Sequence, residues 1–359
     1  MSESEPTSIR SRKADHLELC TTGDVAFRTK TTLLEQVELV HDALPELSLD
    51  EIDLSSSFIG KPLSAPLFIA AMTGGVEAAE AINRDLAAVA EELGIGFAFG
   101  SQRPLLTEGI TAGYRVRDIA PNALILGNIG IVQAAQASTQ ALTELVESCG
   151  SDALVVHLNP AMEVVQPEGD RDFRGGLEAL ARLVEELPVP IVVKETGCGL
   201  SRAVGERLVK IGVKWVDVSG SGGTSWVGVE AHRSADPGLG SAFWDWGIPT
   251  AASVAQLQGL GLSICATGGV GSGRDAAHAI ALGADCAGIA RGFLQAHAQG
   301  GTQAVRANAL RVIAEIRLSM LLTGSASVRA LQEAPLVLGP DLSRWIPRDS
   351  PLANRQLSG

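Results

Sequence analysis

The segment from His157 to Asp170, HLNPAMEVVQPEGD, gathers an imidazole, two carboxamides and several carboxylates into one short stretch. A neutral histidine and an asparagine, here His157 and Asn159, can orient a diphosphate through directional hydrogen bonds. A single carboxylate such as Glu163 suits Mg²⁺, which takes one or two carboxylates together with waters and substrate phosphates. Met162 is out of character, since its thioether has no proton to give and is at best a weak acceptor. Elsewhere, Lys194 closes the apolar run PIVVKE. A lysine so placed either forms a Schiff base or holds an anionic ring or phosphate, and the residue alone does not choose. Arg12, Lys13 and His16 form a basic knot, SRKADH, in an acidic chain. Such a knot is a solvated patch or a clamp that closes on an anion.

Elements must carry these groups to one place. Eight short apolar runs recur about 25 to 35 residues apart, the repeat of a βα unit. They are PLFIAAM (66–72), IGFAFG (95–100), ALILGN (123–128), ALVVHLN (153–159), PIVVKE (190–195), WVDVSG (215–220), LSICATGG (262–269) and CAGIAR (286–291). Between them lie amphipathic patterns such as AEAINRDLAAVAEEL and FRGGLEALARLVEEL. Strands apolar on both faces and covered by helices predict an α/β protein, a (β/α)₈ TIM barrel. A doubly wound sheet is the runner-up, but no early strand is followed by GxGxxG. The expected layout is an N-terminal extension over 1–60, the barrel over 61–295 and a C-terminal helical tail over 296–359. The connection from Gly220 to Ser253 is long enough to predict a lid. The tail reads as one long helix, RANALRVIAEIRLSMLLTG, then a short one, SVRALQEA, serving packing alone.

In this fold the active site gathers at the C-terminal ends of the strands. Read in order, those ends are AMTGG, GSQR, GNIG, HLN, KE, SGSGGTS, ATGGVGSG and ARG. All are polar or glycine-rich, which predicts a shared pocket. The late loops GGTS, GGVGSG and AR offer clustered backbone N–H groups, with a helix beginning near GRDAA, and so predict a phosphate cradle.

A net charge of −13 argues against nucleic acid and anionic membranes as partners. No apolar run approaches the roughly 18 residues of a bilayer span, and the first residues lack a signal-peptide core, so a cytoplasmic protein is expected. The five cysteines have no metal or disulfide spacing and read as buried thiols, with Cys198 in its GCG loop the one placed to face a ligand.

The sequence resembles the type 2 isopentenyl-diphosphate isomerase family, flavin-dependent members of the (β/α)₈ barrels. The shared signposts are RKADH, AMTGG, GSQR, HLNPAME, VVKETGCGLS, DVSGSGGTSW and ATGGVGSGRDAAHAIALGADCAGIA, in the family's order from Arg12 to Trp345. The resemblance implies interconversion of isopentenyl and dimethylallyl diphosphate with reduced FMN, NADPH as reductant and Mg²⁺. It implies that Ala71, Met72, Thr73, Ser101, Asn128, Lys194 and Thr224 hold the flavin ring and ribityl chain, with Ser219 in the same set. Gly269, Gly271, Ala290 and Arg291 would surround its phosphate. Arg12, Lys13, His16, Arg103, His157, Asn159 and Ser201 would clamp the substrate diphosphate, and Glu163 would bind Mg²⁺. A homo-oligomer, tetramer or octamer, is the family's habit.

The chain departs from the family at Met162, where members carry a glutamine assigned to proton relay or alkene orientation. His157, Met162 and Gln166 are the candidate catalytic residues, Gln166 reaching back if its loop is helical. Three readings follow: an isomerase in which Met162 is an apolar wall, an enzyme for another prenyl diphosphate or terpenoid, and a silent protein that binds FMN or prenyl diphosphate.

Overall fold

Apolar residues at successive strand positions leave no face for water, so these strands are stable only inside a closed, helix-covered sheet. The computed structural model describes residues 9–75, 77–166, 169–234 and 238–355. Its elements begin with α1 (Ile9–Thr22), β1 (Val37–Leu39), β2 (Ser56–Phe58), β3 (Lys61–Leu63), β4 (Leu67–Ile69), α2 (Glu77–Leu93), β5 (Gly96–Ala98) and α3 (Arg103–Glu108). They continue with β6 (Ile125–Gly130), α4 (Ile131–Gln136), α5 (Thr139–Cys149), β7 (Ala153–Leu158), α6 (Pro160–Val165), α7 (Gly176–Glu186), β8 (Ile191–Glu195), α8 (Arg202–Lys210) and β9 (Trp215–Asp217). The chain closes with α9 (Trp226–Arg233), α10 (Gly238–Ala242), α11 (Thr250–Leu257), β10 (Ser263–Ala266), α12 (Gly273–Ala281), β11 (Cys286–Ile289), α13 (Arg291–Leu321), α14 (Val328–Glu333), β12 (Leu336–Leu338) and α15 (Pro340–Ser343).

Strands β4 to β11 pair in parallel and in chain order, and β11 returns to β4, so the sheet is a closed eight-stranded barrel. All eight apolar runs become its strands. Their register sets the site: His157 on β7 lies opposite Lys194 on β8, and Lys194 lies opposite Asp217 on β9. The antiparallel hairpin β2–β3 stoppers the opposite end, packing Phe58, Ile59 and Leu63 against Phe68, Leu124, Leu126 and Val155 inside the barrel. Lys61 ties that stopper to Asp152, just before β7, at 2.5 Å. The hairpin straddles residue 60, so extension and barrel share it.

Two connections differ from expectation. The stretch from Gly220 to Ser253 is no simple loop but carries α9 and α10 before entering α11. Its turn begins at Ser225, whose hydroxyl caps α9 by accepting from Gly228 N. The tail helix starts as early as Arg291 and bends at Gly300 and Gly301, the latter at φ +59°, so it is two helical pieces. Beyond it β12 pairs antiparallel with β1, joining the tail to the extension. Among the described residues no helix is long and apolar enough to cross a membrane.

Candidate functional site

The strand ends open into a cavity enclosing about 1060 Å³, counting its open mouth. Ala71, Met72, Thr73, Ser101, Arg103, Asn128, His157, Asn159, Met162, Glu163, Gln166 and Lys194 all line it, and His16 reaches it from α1. Its floor is backbone packed on backbone. Gly100 N donates to Thr73 O at 3.0 Å, and a Cβ on Gly100 would lie 2.7 Å from Thr73 N. A Cβ on Gly74 would lie 2.3 Å from the buried Tyr114 ring, whose hydroxyl donates to Ser101 O. Those approaches explain why AMTGG and FGS are written with glycine.

His157 is oriented from below. Its Nδ1 lies 2.7 Å from Asn128 Oδ1, while Asn128 Nδ2 donates to Phe99 O at 2.9 Å. Because the amide nitrogen faces a carbonyl, the oxygen faces the ring and Nδ1 carries the proton, leaving Nε2 as the acceptor of the neutral imidazole. Asn128 is itself clamped by Gln102, which exchanges two backbone-directed bonds with it at 2.7 Å. Asn128, expected on the flavin, lines the cavity and also holds His157.

Asn159 starts α6, with Pro160 preset for the first helical position. Asn159 Nδ2 donates to Glu163 Oε1 at 2.8 Å, and Asp170 N donates to Glu163 Oε2 at 2.9 Å. The chain reaches Asp170 through Gly169, where a Cβ would lie 1.8 Å from Glu163 O. Glu163 is buried, and its carboxylate is fixed by both bonds. Among the described residues no group of three or more His, Cys, Asp or Glu surrounds a metal position. A single carboxylate together with substrate phosphates and waters is a donor set that Mg²⁺ accepts. Asp170 accepts from Gln133 Nε2 at 2.9 Å and lies 3.8 Å from Arg103, holding that arginine at the rim.

Lys194 donates to the Glu195 backbone oxygen at 2.5 Å. On the neighbouring strand burial raises the Asp217 carboxyl above its usual range, opposed by the Lys194 charge and by a 2.5 Å bond from Thr267. Burial also pushes Glu195 up to about 7, against backbone N–H bonds from Cys198 and Thr196. Burial pushes the thiol of Cys20, which lines the cavity, up to about 12 and so favours its protonated form.

Helix α1 brings His16, Leu17 and Cys20 against the cavity. His16 Nε2 meets the fully buried Glu230 of α9 at 2.6 Å, and Arg233 donates to the other Glu230 oxygen at 2.7 Å. Arg12 and Lys13 fall on α1, but their side chains lie outside the described residues. The segment after α1 is laced down on the β9–α11 connection. Phe27 N donates to Gly223 O, Ser225 N donates to Val25 O, and Ala26 bridges Thr224.

Of the remaining expected residues, Ser219, Thr224, Gly269, Gly271, Ala290 and Arg291 do not line the cavity. Ser219 Oγ accepts from Gly197 N, Gly271 N donates to Asp275, and the Arg291 guanidinium donates to Cys20 O and Gly23 O. The glycine loops do converge, since a Cβ on Gly223 would lie 2.4 Å from Gly269 N. Ser201 is not in the cavity either. It caps α8 by accepting from Val204 N, and it faces a second, apolar cavity with Pro160, Val164, Phe243 and Trp246. Cys198 lines that second cavity too.

Sequence reasoning missed Gln133, Thr196 and Trp226, which line the polar cavity. Trp226 directly follows GGTS and Thr196 follows KE, so adjacency to a strand end was the available signal. Thr196 Oγ1 is buried and among the described residues has no hydrogen-bond partner.

The chain is similar to known proteins over most of its length. The model of the family described as FMN-dependent dehydrogenase matches residues 7–172 and 159–338. An isopentenyl-diphosphate delta-isomerase of Methanothermobacter thermautotrophicus is 42% identical over 342 residues, covering 94% of this chain and 96% of that protein. Those of Synechococcus sp. and Halobacterium salinarum are each 44% identical, covering 93% and 94% of this chain and 97% and 96% of their own. Among solved structures, a mandelate oxidase carrying a monooxide FMN adduct superposes with a TM-score of 0.65 at 20% identity, covering 90% of this chain and 95% of that one. At that identity the likeness bears on the fold alone.

Proposed function

The chain belongs to the isopentenyl-diphosphate delta-isomerases within the FMN-dependent dehydrogenase family, and from that premise we propose that it interconverts isopentenyl and dimethylallyl diphosphate using reduced FMN and Mg²⁺, with NADPH as the source of reducing equivalents. The observation that carries this reading is the convergence of His157, Asn159, Glu163, Arg103 and Lys194 on one cavity.

The residues present fit a flavin ring. Ala71, Met72, Thr73 and Ser101 form a tight wall, Lys194 supplies a cation, and the orphaned Thr196 hydroxyl offers a hydrogen bond. At the phosphate end Gly271 N and Arg291 would exchange their present partners for phosphate oxygens. When bound, reduced FMN supplies ring positions able to donate and accept protons beside an alkene.

The chain's own residues do the rest. His157, through Nε2, and Arg103 hold diphosphate oxygens, joined by Arg12, Lys13 and His16 from α1. Glu163 would hold Mg²⁺, which would supply positive charge to the substrate's diphosphate. Moving the double bond requires a proton added at one carbon and another lost from a neighbour, through a centre of positive charge that water must not reach. Met162 and Trp226 give that centre an apolar wall, and α1 with α9 roofs it. Ser201, remote in the second cavity, takes no part in the clamp.

The test is anaerobic incubation with isopentenyl diphosphate, FMN, NADPH and Mg²⁺. Dimethylallyl diphosphate is the expected product. Its absence from protein that has bound FMN would overturn the reading.

A further inference from the structure

We propose that Asp217 is the charge partner of Lys194 and, through it, sets how strongly the cavity favours a reduced flavin; this rests on the flavin reading above. The register of the barrel places the pair, since Lys194 on β8 and Asp217 on β9 are direct partners across adjacent parallel strands. Both line a small cavity between the stopper hairpin and the polar cavity, whose other walls are apolar side chains with Cys265 and Thr267. Asp217 is 8% exposed, and its Oδ1 accepts from Thr267 Oγ1 at 2.5 Å and from Ser219 N at 3.1 Å. Two donors on one oxygen, together with the charge of Lys194, favour the ionised carboxyl against the pull of burial.

The other acid beside the lysine is occupied elsewhere. Glu195 sits on the opposite face of β8 and lines the second cavity, and its carboxylate accepts from Thr196 N and Cys198 N. Lys194 spends one of its three N–H donors on Glu195 O, at 2.5 Å. A lone carboxylate in apolar surroundings is costly, and so is a lone ammonium, whereas together each offsets the other's burial. Reduction adds electrons to a bound flavin, and a nearby cation favours the negative charge that follows. Asp217 cancels part of that pull. The reduced ring is left more basic and more strongly reducing than Lys194 alone would allow.

Asp217→Asn keeps an oxygen for Thr267 and Ser219 and removes only the charge. Bound FMN, equilibrated with a dye of known potential, should then shift about tenfold toward the reduced form, which is about 30 mV for two electrons. Its affinity should stay within about threefold of wild type. The second arm unfolds the full chain in urea, without added cofactor. Lys194→Met strands the carboxylate and should lower the folding equilibrium constant about 100-fold, and adding Asp217→Asn should recover at least about tenfold. A merely structural aspartate would give neither the shift in potential nor the recovery. An unchanged potential in Asp217→Asn, or no recovery in the double variant, overturns the assignment. Wild type that takes up no FMN strikes the flavin reading and the tuning with it, while the urea arm still decides the pair.

Discussion

His157 and Asn128 meet at 2.7 Å across adjacent strands, and that contact fixes which imidazole nitrogen carries the proton. The strand end GNIG therefore works on its neighbouring strand. Removing the amide with Asn128→Ala leaves Nδ1 without its acceptor and lets the ring turn. Losing one buried hydrogen bond costs about 1–3 kcal/mol, so kcat/KM should fall about 10- to 100-fold. Steady-state kinetics check this, and Asn128→Gln should not restore activity because its longer arm displaces the ring.

Glu163→Gln keeps the shape of α6 and removes the charge that anchors Mg²⁺. The expected outcome is loss of Mg²⁺-dependent binding of isopentenyl diphosphate, read by calorimetry, while FMN binds as before. Equal Mg²⁺ dependence in the variant would refute the assignment.

Glu195 gives a pH prediction. Burial raises its folded-state pKa from 4.5 to about 7, opposed by backbone N–H donors. Between those values the folded chain holds a proton that the unfolded chain has released. Stability from this group is thus full below pH 4.5 and declines as pH rises to about 7, where it levels off. Glu195→Gln removes the dependence. The unfolding free energy of wild type relative to the variant should fall by up to about 3 kcal/mol across that window, measured by urea denaturation at each pH.

Gly100→Ala tests the floor of the cavity. The new methyl would meet Thr73 backbone, which cannot swing aside, and the expected destabilisation is about 2 kcal/mol with loss of FMN binding. Gly271→Ala is the contrast, because its Cβ would find only Asp275, at 3.7 Å. Its unfolding midpoint should match wild type.

The barrel was legible because its strands are apolar on both faces, a pattern that a parallel sheet leaves in the sequence. That His157 and Lys194 line the cavity was legible because polar residues that end such strands have little other business there, and Glu163 follows within a turn on α6. What stayed hidden depends on distance along the chain. Nothing local links Asn128 to His157, nor His16 to Glu230 on a helix inside the presumed lid. The pairing of β1 with β12 hid because strands of three residues are too short to show alternation. Ser201 falls on the second cavity as the cap of α8, and the signal for that was ordinary: a serine before a helical pattern is first a cap.

The hairpin that stoppers the barrel has a kinetic consequence. With Phe58, Ile59 and Leu63 filling the far end, the described residues leave the strand-end mouth, bordered by the helix that carries His16, as the approach to the cavity. On the function proposed above, reductant and substrate would share that approach and would have to bind in turn.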